Sequence, residues 1–353
     1  MPSTRNAKST APLDPGLTTV KARRAKIRGR YRKTGTKLLD FLGNYEGNPY
    51  LGESDLEPFK VKLFKWDPKD ETDLNSNDSF FLPLSRDKLQ QHPVEEYSEE
   101  DEDSESPRLA EFGPGDERNP YNRAHCIDCF LDSQLFHVIR VPSMLGLYEL
   151  ENWQAFGNDH PFNPRSGLIN GPYSPTGMPD WKTNGLYEYI ADPASGKVDP
   201  HFPHLMLITL HGANGKNDRL LVGELANAVQ AIFNRMEQDE FRDTTLFPVL
   251  VISLFGPQHG RLIVAHFECS GILHVHYTDC FSFMTNAEAK DQLDLFLRYM
   301  VSKPLGGPER EFFRTPKPTF TSTEVAPSKR KRSSSIDSTE GPFRLTGGPK
   351  HRN

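Results

Sequence analysis

The sequence predicts an α+β fold: a single mixed, mainly antiparallel sheet of about four to six strands, packed with two main helices, with a long ordered loop and disordered termini. Three observations predict it. Apolar residues crowd into the second half of the 353-residue chain. Within that half, strand-length apolar runs alternate with two segments that carry a helical stripe. On either side lie charged stretches too poor in apolar residues to offset the entropy of ordering. The hydrophobic share of the whole chain, 36%, falls below the roughly 45–50% of globular proteins. One core domain is therefore expected, at 119–305.

In chain order, residues 1–36 read as a basic tail. Residues 37–66 read as a short segment suited to docking on the core, because Phe59–Trp66 alternates in the manner of a strand. Residues 67–118 are polar and acidic and read as a linker. Cys126–Phe136 is the first expected helix, followed by an extended segment at His137–Val141. Gly157–Trp181 holds five prolines and four glycines, which excludes a regular element, while Phe162, Leu168, Ile169, Tyr173 and Trp181 anchor it as an ordered loop. Leu205–Leu210 is a short buried strand. Asp218 can cap a helix with the stripe Leu221, Leu225, Ala228, Val229, Ile232 and Met236. Phe247–Phe255 is apolar enough for a central strand covered on both faces. Arg261–Phe267 and Ile272–Tyr277 form further strands, and Thr285 with Glu288 opens the last helix as a capping box. Residues 306–353 form a second tail.

The last two strands make a hairpin with a specific register. If Cys269-Ser270-Gly271 is the loop, Ile263, Ala265 and Phe267 face Tyr277, Val275 and Leu273. The opposite face then carries His266 beside His274, with His276 and Glu268 close by. Three imidazoles and a carboxylate match a Zn²⁺ ligand set, against the plainer reading of a polar sheet face. His125, Cys126 and Cys129 include a C-x-x-C pair, which reads as two thiols without a second pair to complete a zinc site. Gly212–Lys216 precedes a helix but lacks the spacing and the Ser/Thr of a phosphate loop.

A net charge of −6 conceals segregation into blocks. Arg23, Arg24, Lys26, Arg28, Arg30, Arg32 and Lys33 could contact nucleic acid, with Tyr31 available to stack. Lys329, Arg330, Lys331 and Arg332 read as a nuclear-import signal beside three serines. Four cysteines fit reduced thiols, and no stretch has the length of a membrane span or of a signal-peptide core. The expected location is the nucleus, or both nucleus and cytoplasm.

The stretch Phe247–Phe267, continued through Asp279-Cys280-Phe281, resembles uncharacterised proteins of filamentous fungi over about residues 200–300. They share an apolar strand, a Gly-x-x-His turn, a second strand and a hairpin. The resemblance implies no activity and carries over no functional residue. The leading expectation is a non-catalytic binding module with a protein partner, no membrane contact and no cofactor. One alternative is a divergent metal-dependent nuclease or hydrolase, with a restriction-endonuclease-like core and Zn²⁺ or Mg²⁺ at His266, His274, His276 and Glu268. Another is a nucleic-acid binder using the basic N-terminal arm.

Overall fold

Period-two alternation in the central strands gives the sheet two buried faces, and helices cover both. The structure is a computed structural model, and it describes residues 15–69, 80–93, 109, 119–138, 140, 146–156, 167–173, 177–194 and 197–305. The chain opens with α1 (Pro15–Gly43), β1 (Tyr50–Leu51), α2 (Glu53–Leu56) and β2 (Val61–Lys65). Next come β3 (Phe81–Leu82), α3 (Arg86–Gln90), α4 (Pro120–Asp132), β4 (Trp153–Ala155), β5 (Trp181–Tyr189) and β6 (Leu205–Asn214). A two-residue strand β7 (Leu220–Leu221) leads into α5 (Val222–Met236). The last part holds β8 (Val249–Gly256), β9 (His259–Phe267), β10 (Leu273–Tyr277), β11 (Phe281–Ser282), α6 (Asn286–Met300) and β12 (Lys303–Pro304).

The main sheet has eight strands in the order β2-β10-β9-β8-β6-β5-β4, with β11 pairing β9. Two pairings, β2 with β10 and β6 with β8, are parallel. The sheet is thus larger than the expected four to six strands; it is mixed, as expected, with the other five of its seven pairings antiparallel. β2 is the strand expected within Phe59–Trp66, docked on the core beside β10, whereas β5 was not expected, because it carries Thr183, Asn184 and Gly185 in mid-strand. One face packs Leu205, Leu207, Val249, Val251, Ile263 and Ala265 against α1 and α5. The other packs Met206, Ile208, Leu250, Ile252, Leu262 and Val264 against α4 and α6.

The expected elements of the second half appear with small shifts. β8 is buried throughout, as both covers require. Thr285 and Glu288 form the reciprocal cap of α6, with Glu288 N donating to Thr285 Oγ1 at 3.2 Å and Thr285 N donating to Glu288 Oε2 at 3.3 Å. The hairpin adopts the expected register, His266 opposite His274 and Ala265 opposite Val275. Gly271 takes the left-handed conformation there, at φ +87°. α5 begins at Val222 rather than just after Asp218, because β7 first pairs with β1.

The front of the chain departs most from expectation. Residues 15–36 lie in α1, where a disordered tail was expected. Ile27, Tyr31, Leu38 and Leu42 recur at steps of four and seven and are buried in the core under α5. Tyr31 stacks on Phe267 with ring centroids 5.0 Å apart and donates to Thr245 O at 2.8 Å. Residues 80–93, expected in the linker, supply β3 and α3, and Phe80, Phe81, Leu84 and Leu89 join the core under α6. Lys329, Arg330, Lys331 and Arg332 lie outside the described residues.

Arg28 is the bolt of the helix. Its guanidinium donates to Phe241 O at 2.8 Å, to Thr244 O at 2.9 Å and to Met236 O, so it satisfies carbonyls at and beyond the C-terminal end of α5. Burial, then neighbouring Arg32, lowers its pKa from the usual guanidinium value. Replacing Arg28 by Met keeps the aliphatic stem and strands those carbonyls. We expect a loss of about 2–4 kcal/mol in denaturant unfolding, and a loss under about 0.5 kcal/mol would show that the contacts do not hold α1.

Candidate functional site

A polar row crosses the apolar sheet. Thr209 on β6 stands opposite Ser253 on β8, and Ser253 stands opposite Arg261 on β9. Glu224, in the first turn of α5, descends onto this row and is fully buried, as are Arg261, Ser253 and Thr209. Arg261 Nε donates to Glu224 Oε1 at 2.6 Å and Nη2 to Oε2 at 2.7 Å, a bidentate pair. Ser253 Oγ donates to Oε1 and the Leu221 amide to Oε2, both at 2.6 Å. Arg261 Nη1 reaches Lys216 O at 2.8 Å, and Asn227 Nδ2 donates to Thr209 Oγ1 at 2.9 Å. Burial works against the Arg261 charge, but the Glu224 carboxylate outweighs it and holds the pKa above the usual value. Glu224 is fully engaged and acts as a structural anchor.

Two residues past Thr209, the strand end opens into a pocket of about 560 Å³. Its position, at the carboxyl end of β6 beside the start of α5, is where strand–helix–strand units leave a crevice. One wall comes from the end of α1 and the segment after it, through Leu42, Tyr45 and Asn48. The other comes from the loop that the proline and glycine content singled out, through Leu168, Asn170, Asp180 and Trp181. That loop is held by Trp181 Nε1 donating to Leu168 O at 3.2 Å and Thr183 Oγ1 donating to Ile169 O at 2.8 Å. A Cβ at Gly171 or at Gly223 would come within 2.5 Å of the Trp181 ring, so two glycines let the indole wedge between loop and helix.

His211 lines the pocket and is buried, with its Nε2 lacking a hydrogen-bond partner among the described residues. Burial lowers its pKa to about 4, against the pull of Glu224 and with the push of Arg261, so the ring is neutral at pH 7. Asp180 sits at the rim, exposed, its carboxyl pKa raised by partial burial. Among the described residues no Lys or Arg lines the pocket.

The sequence-predicted residues fall elsewhere. His266, His274 and His276 lie together, with the His266 ring 5.3 Å from His274 and 6.2 Å from His276. His276 stacks on Phe64 at 4.8 Å and lies nearly parallel to His266, while Phe80 lies tilted against His266 at 4.5 Å. Glu268 reaches His274 at 3.4 Å from a more exposed position. Among the described residues no group of three or more His, Cys, Asp or Glu side chains is placed to hold a metal ion. Cys126 and Cys129 are free thiols on α4. Both His125 ring nitrogens lie at nearly the same distance from Cys129 Sγ, 3.7 and 3.8 Å, so neither lone pair points at the sulfur. Burial raises the Cys129 pKa, away from a nucleophilic thiolate. Lys216 turns onto the Tyr50 ring at 4.0 Å, away from any phosphate-loop role. Of the basic residues, Arg24, Arg28, Arg30 and Arg32 bond to groups on other elements of the fold, while the side chains of Arg23, Lys26 and Lys33 are exposed. His211 and Asp180 were missed. The one usable signal was a His ending an apolar strand directly before Gly212.

The fold and pocket define a three-layer α/β/α protein with a crevice at a strand–helix switch. The chain matches no protein-family model, no curated protein and no solved structure.

The buried pair and the buried titrating groups each set an expected outcome. Glu224→Gln leaves Arg261 buried without a counter-charge and should cost about 3–5 kcal/mol, and adding Arg261→Met should recover part of it. No recovery in the double variant would mean that the pair is not a unit.

Stability should also depend on pH through two opposed groups. Buried Asp128 accepts from Asn184 Nδ2 at 2.6 Å, yet burial outweighs that bond and nearby His125 and raises its pKa from 3.8 to about 6. Between about pH 4 and 6 the folded state therefore binds more protons than the unfolded one at Asp128, and stability falls as pH rises. At His211 the unfolded state binds more protons between about pH 4 and 6.5, and stability rises with pH. The two effects, each about 3 kcal/mol, oppose one another. Relative to the parent, Asp128→Asn should lose stability on acidification from about pH 6.5 to 4, and His211→Gln should gain it. Parallel unfolding curves for both variants would refute the assignment.

Proposed function

We propose that the protein is a non-catalytic binding module whose ligand enters the pocket beside β6 and α5. The ligand carries a protonated amine on an apolar stem, as a free small molecule or as a side chain of a protein partner. The observation that carries this reading is the lining itself. Asp180 offers a carboxylate with no ion pair among the described residues, no lining cation competes for it, and Leu42, Leu168 and Trp181 supply apolar walls. Neutral His211 adds a hydrogen-bonding group at the base. The volume of about 560 Å³ falls within the roughly 300–1,000 Å³ of ordinary small-molecule sites.

Binding suits the site better than catalysis. A general base needs a partner that fixes its tautomer and a nucleophile or substrate proton within reach. Among the described residues no hydrogen bond orients the His211 Nε2, and Glu224 is spent on Arg261, Ser253 and the Leu221 amide.

The test uses matched probes. Phenethylamine and 3-phenylpropionate have the same aromatic body and opposite charge, and a Lys-Phe dipeptide stands for a partner segment. The amine should raise the melting temperature and shift the His211 ring resonances, and Asp180→Asn should weaken its binding about tenfold or more. Equal binding of the carboxylate, or no binding of either amine-bearing probe, would sink the reading.

A further inference from the structure

We infer that the outward face of α1 is a contact surface for the phosphate backbone of a nucleic acid. The inference is independent of the pocket. α1 sorts its cations into two sets. Arg24 pairs with Asp243 at 3.7 Å, Arg28 binds the carbonyls after α5, and Arg32 grips Glu237 through Nε at 2.9 Å and Nη2 at 3.2 Å. These three serve the fold.

The other set is Arg23, Lys26, Arg30, Lys33 and Lys37, all exposed. Their steps of three, four, three and four keep them within one narrow arc of the helix, over roughly 21 Å of its length at 1.5 Å per residue. Arg30 also donates to Cys269 O at 3.0 Å, a neutral partner that leaves its charge uncompensated. No ion pair engages Lys26, Lys33 or Lys37 among the described residues. One acid, Asp40, lies a turn beyond Lys37 and weakens that end alone. Next to the basic line run the small residues Ala22, Ala25, Gly29 and Thr36, all exposed, and even a Cβ added at Gly29 would meet nothing within 4 Å. A polyanion can therefore approach the helix closely along its length.

The chemistry favours nucleic acid over a lipid surface. An amphipathic helix binds a bilayer by burying an apolar face, but the apolar face of α1 is spent on the core. Among its described side chains only Val20 is a large exposed apolar residue. A continuous line of cations without apolar anchors suits a continuous line of phosphates. The protein's net charge of −6 does not oppose this, since the contact is decided by the local block.

The experiment is fluorescence anisotropy with a labelled 20-base-pair DNA duplex and the full chain, across a salt series. Combining Lys26→Glu, Lys33→Glu and Lys37→Glu should weaken binding at least about tenfold. It should also make the log–log salt dependence shallower by about 2.7, three lost contacts at about 0.9 each. The set Lys182→Glu, Lys290→Glu and Lys303→Glu makes the same change in net charge on other exposed lysines. It should leave affinity within about threefold. Equal loss in both sets would reduce the effect to net charge and overturn the proposal. So would loss seen only when Lys329–Arg332 are replaced by Ala, binding to phosphatidylserine vesicles without binding to the duplex, or no duplex binding at all.

Discussion

The buried Glu224–Arg261 pair is the constraint around which the rest is arranged. It ties the first turn of α5 to β9, and through Ser253 and Lys216 O it also fixes β8 and the turn after β6. A buried pair of this kind is weak evidence for net stability, because desolvation consumes most of the Coulombic gain. Its strength is directional. Two ionised groups that must find each other leave α5 one height and one rotation over the sheet. With five hydrogen bonds converging on fixed atoms, a one-residue slip of β8 against β9 would strand both charges. Arg261 also lies over Phe255 at 5.2 Å, so its outer surface is covered by a ring rather than by water.

From that fixed height the pocket follows. α5 connects parallel strands β6 and β8, so its N-terminus must stand at the carboxyl end of β6. The segment after α1 is clamped there by the pairing of β1 with β7 and by the Val222 amide donating to Pro49 O at 2.8 Å. The loop before β5 is drawn over the same spot by Trp181. Three segments far apart in sequence thus meet above His211, and none would do so if α5 were free to turn.

Legibility in the sequence followed the strength of local patterns. Thr285 and Glu288, the stripe of α5 and the register of the hairpin are each set by residues within a few positions of one another, and each is found in the structure. α1 was hidden because its apolar positions are four or seven residues apart in a field of Lys and Arg, which composition reads as a solvated tail. β5 was hidden because a strand flanking the central pair tolerates Thr183-Asn184-Gly185, with a bulge at that point. The polar row shows the same limit from the other side. Thr209 and Ser253 were visible as lone polar residues in apolar runs, but their alignment with Arg261 depends on which strands pair. The histidine face has the expected register, but its packing partners Phe64 and Phe80 arrive from segments outside the expected core, so the surroundings of the rings could not be read locally.

α1 links the two surfaces. Its inner arginines hold it against the end of α5, and its last turn then gives Leu42 and Gly43 to the pocket wall. The same docking leaves the Lys26–Lys37 face outward as a rigid line of charge rather than a flexible arm. Rigidity matters for a backbone contact, because cations already fixed at helical spacing lose less freedom on binding than those of a coil. The electrostatic division is also clean: the outward line is wholly cationic, while the described pocket lining has one carboxylate and no cation. Both proposed surfaces therefore depend on one helix, and loosening its inner contacts would disturb both.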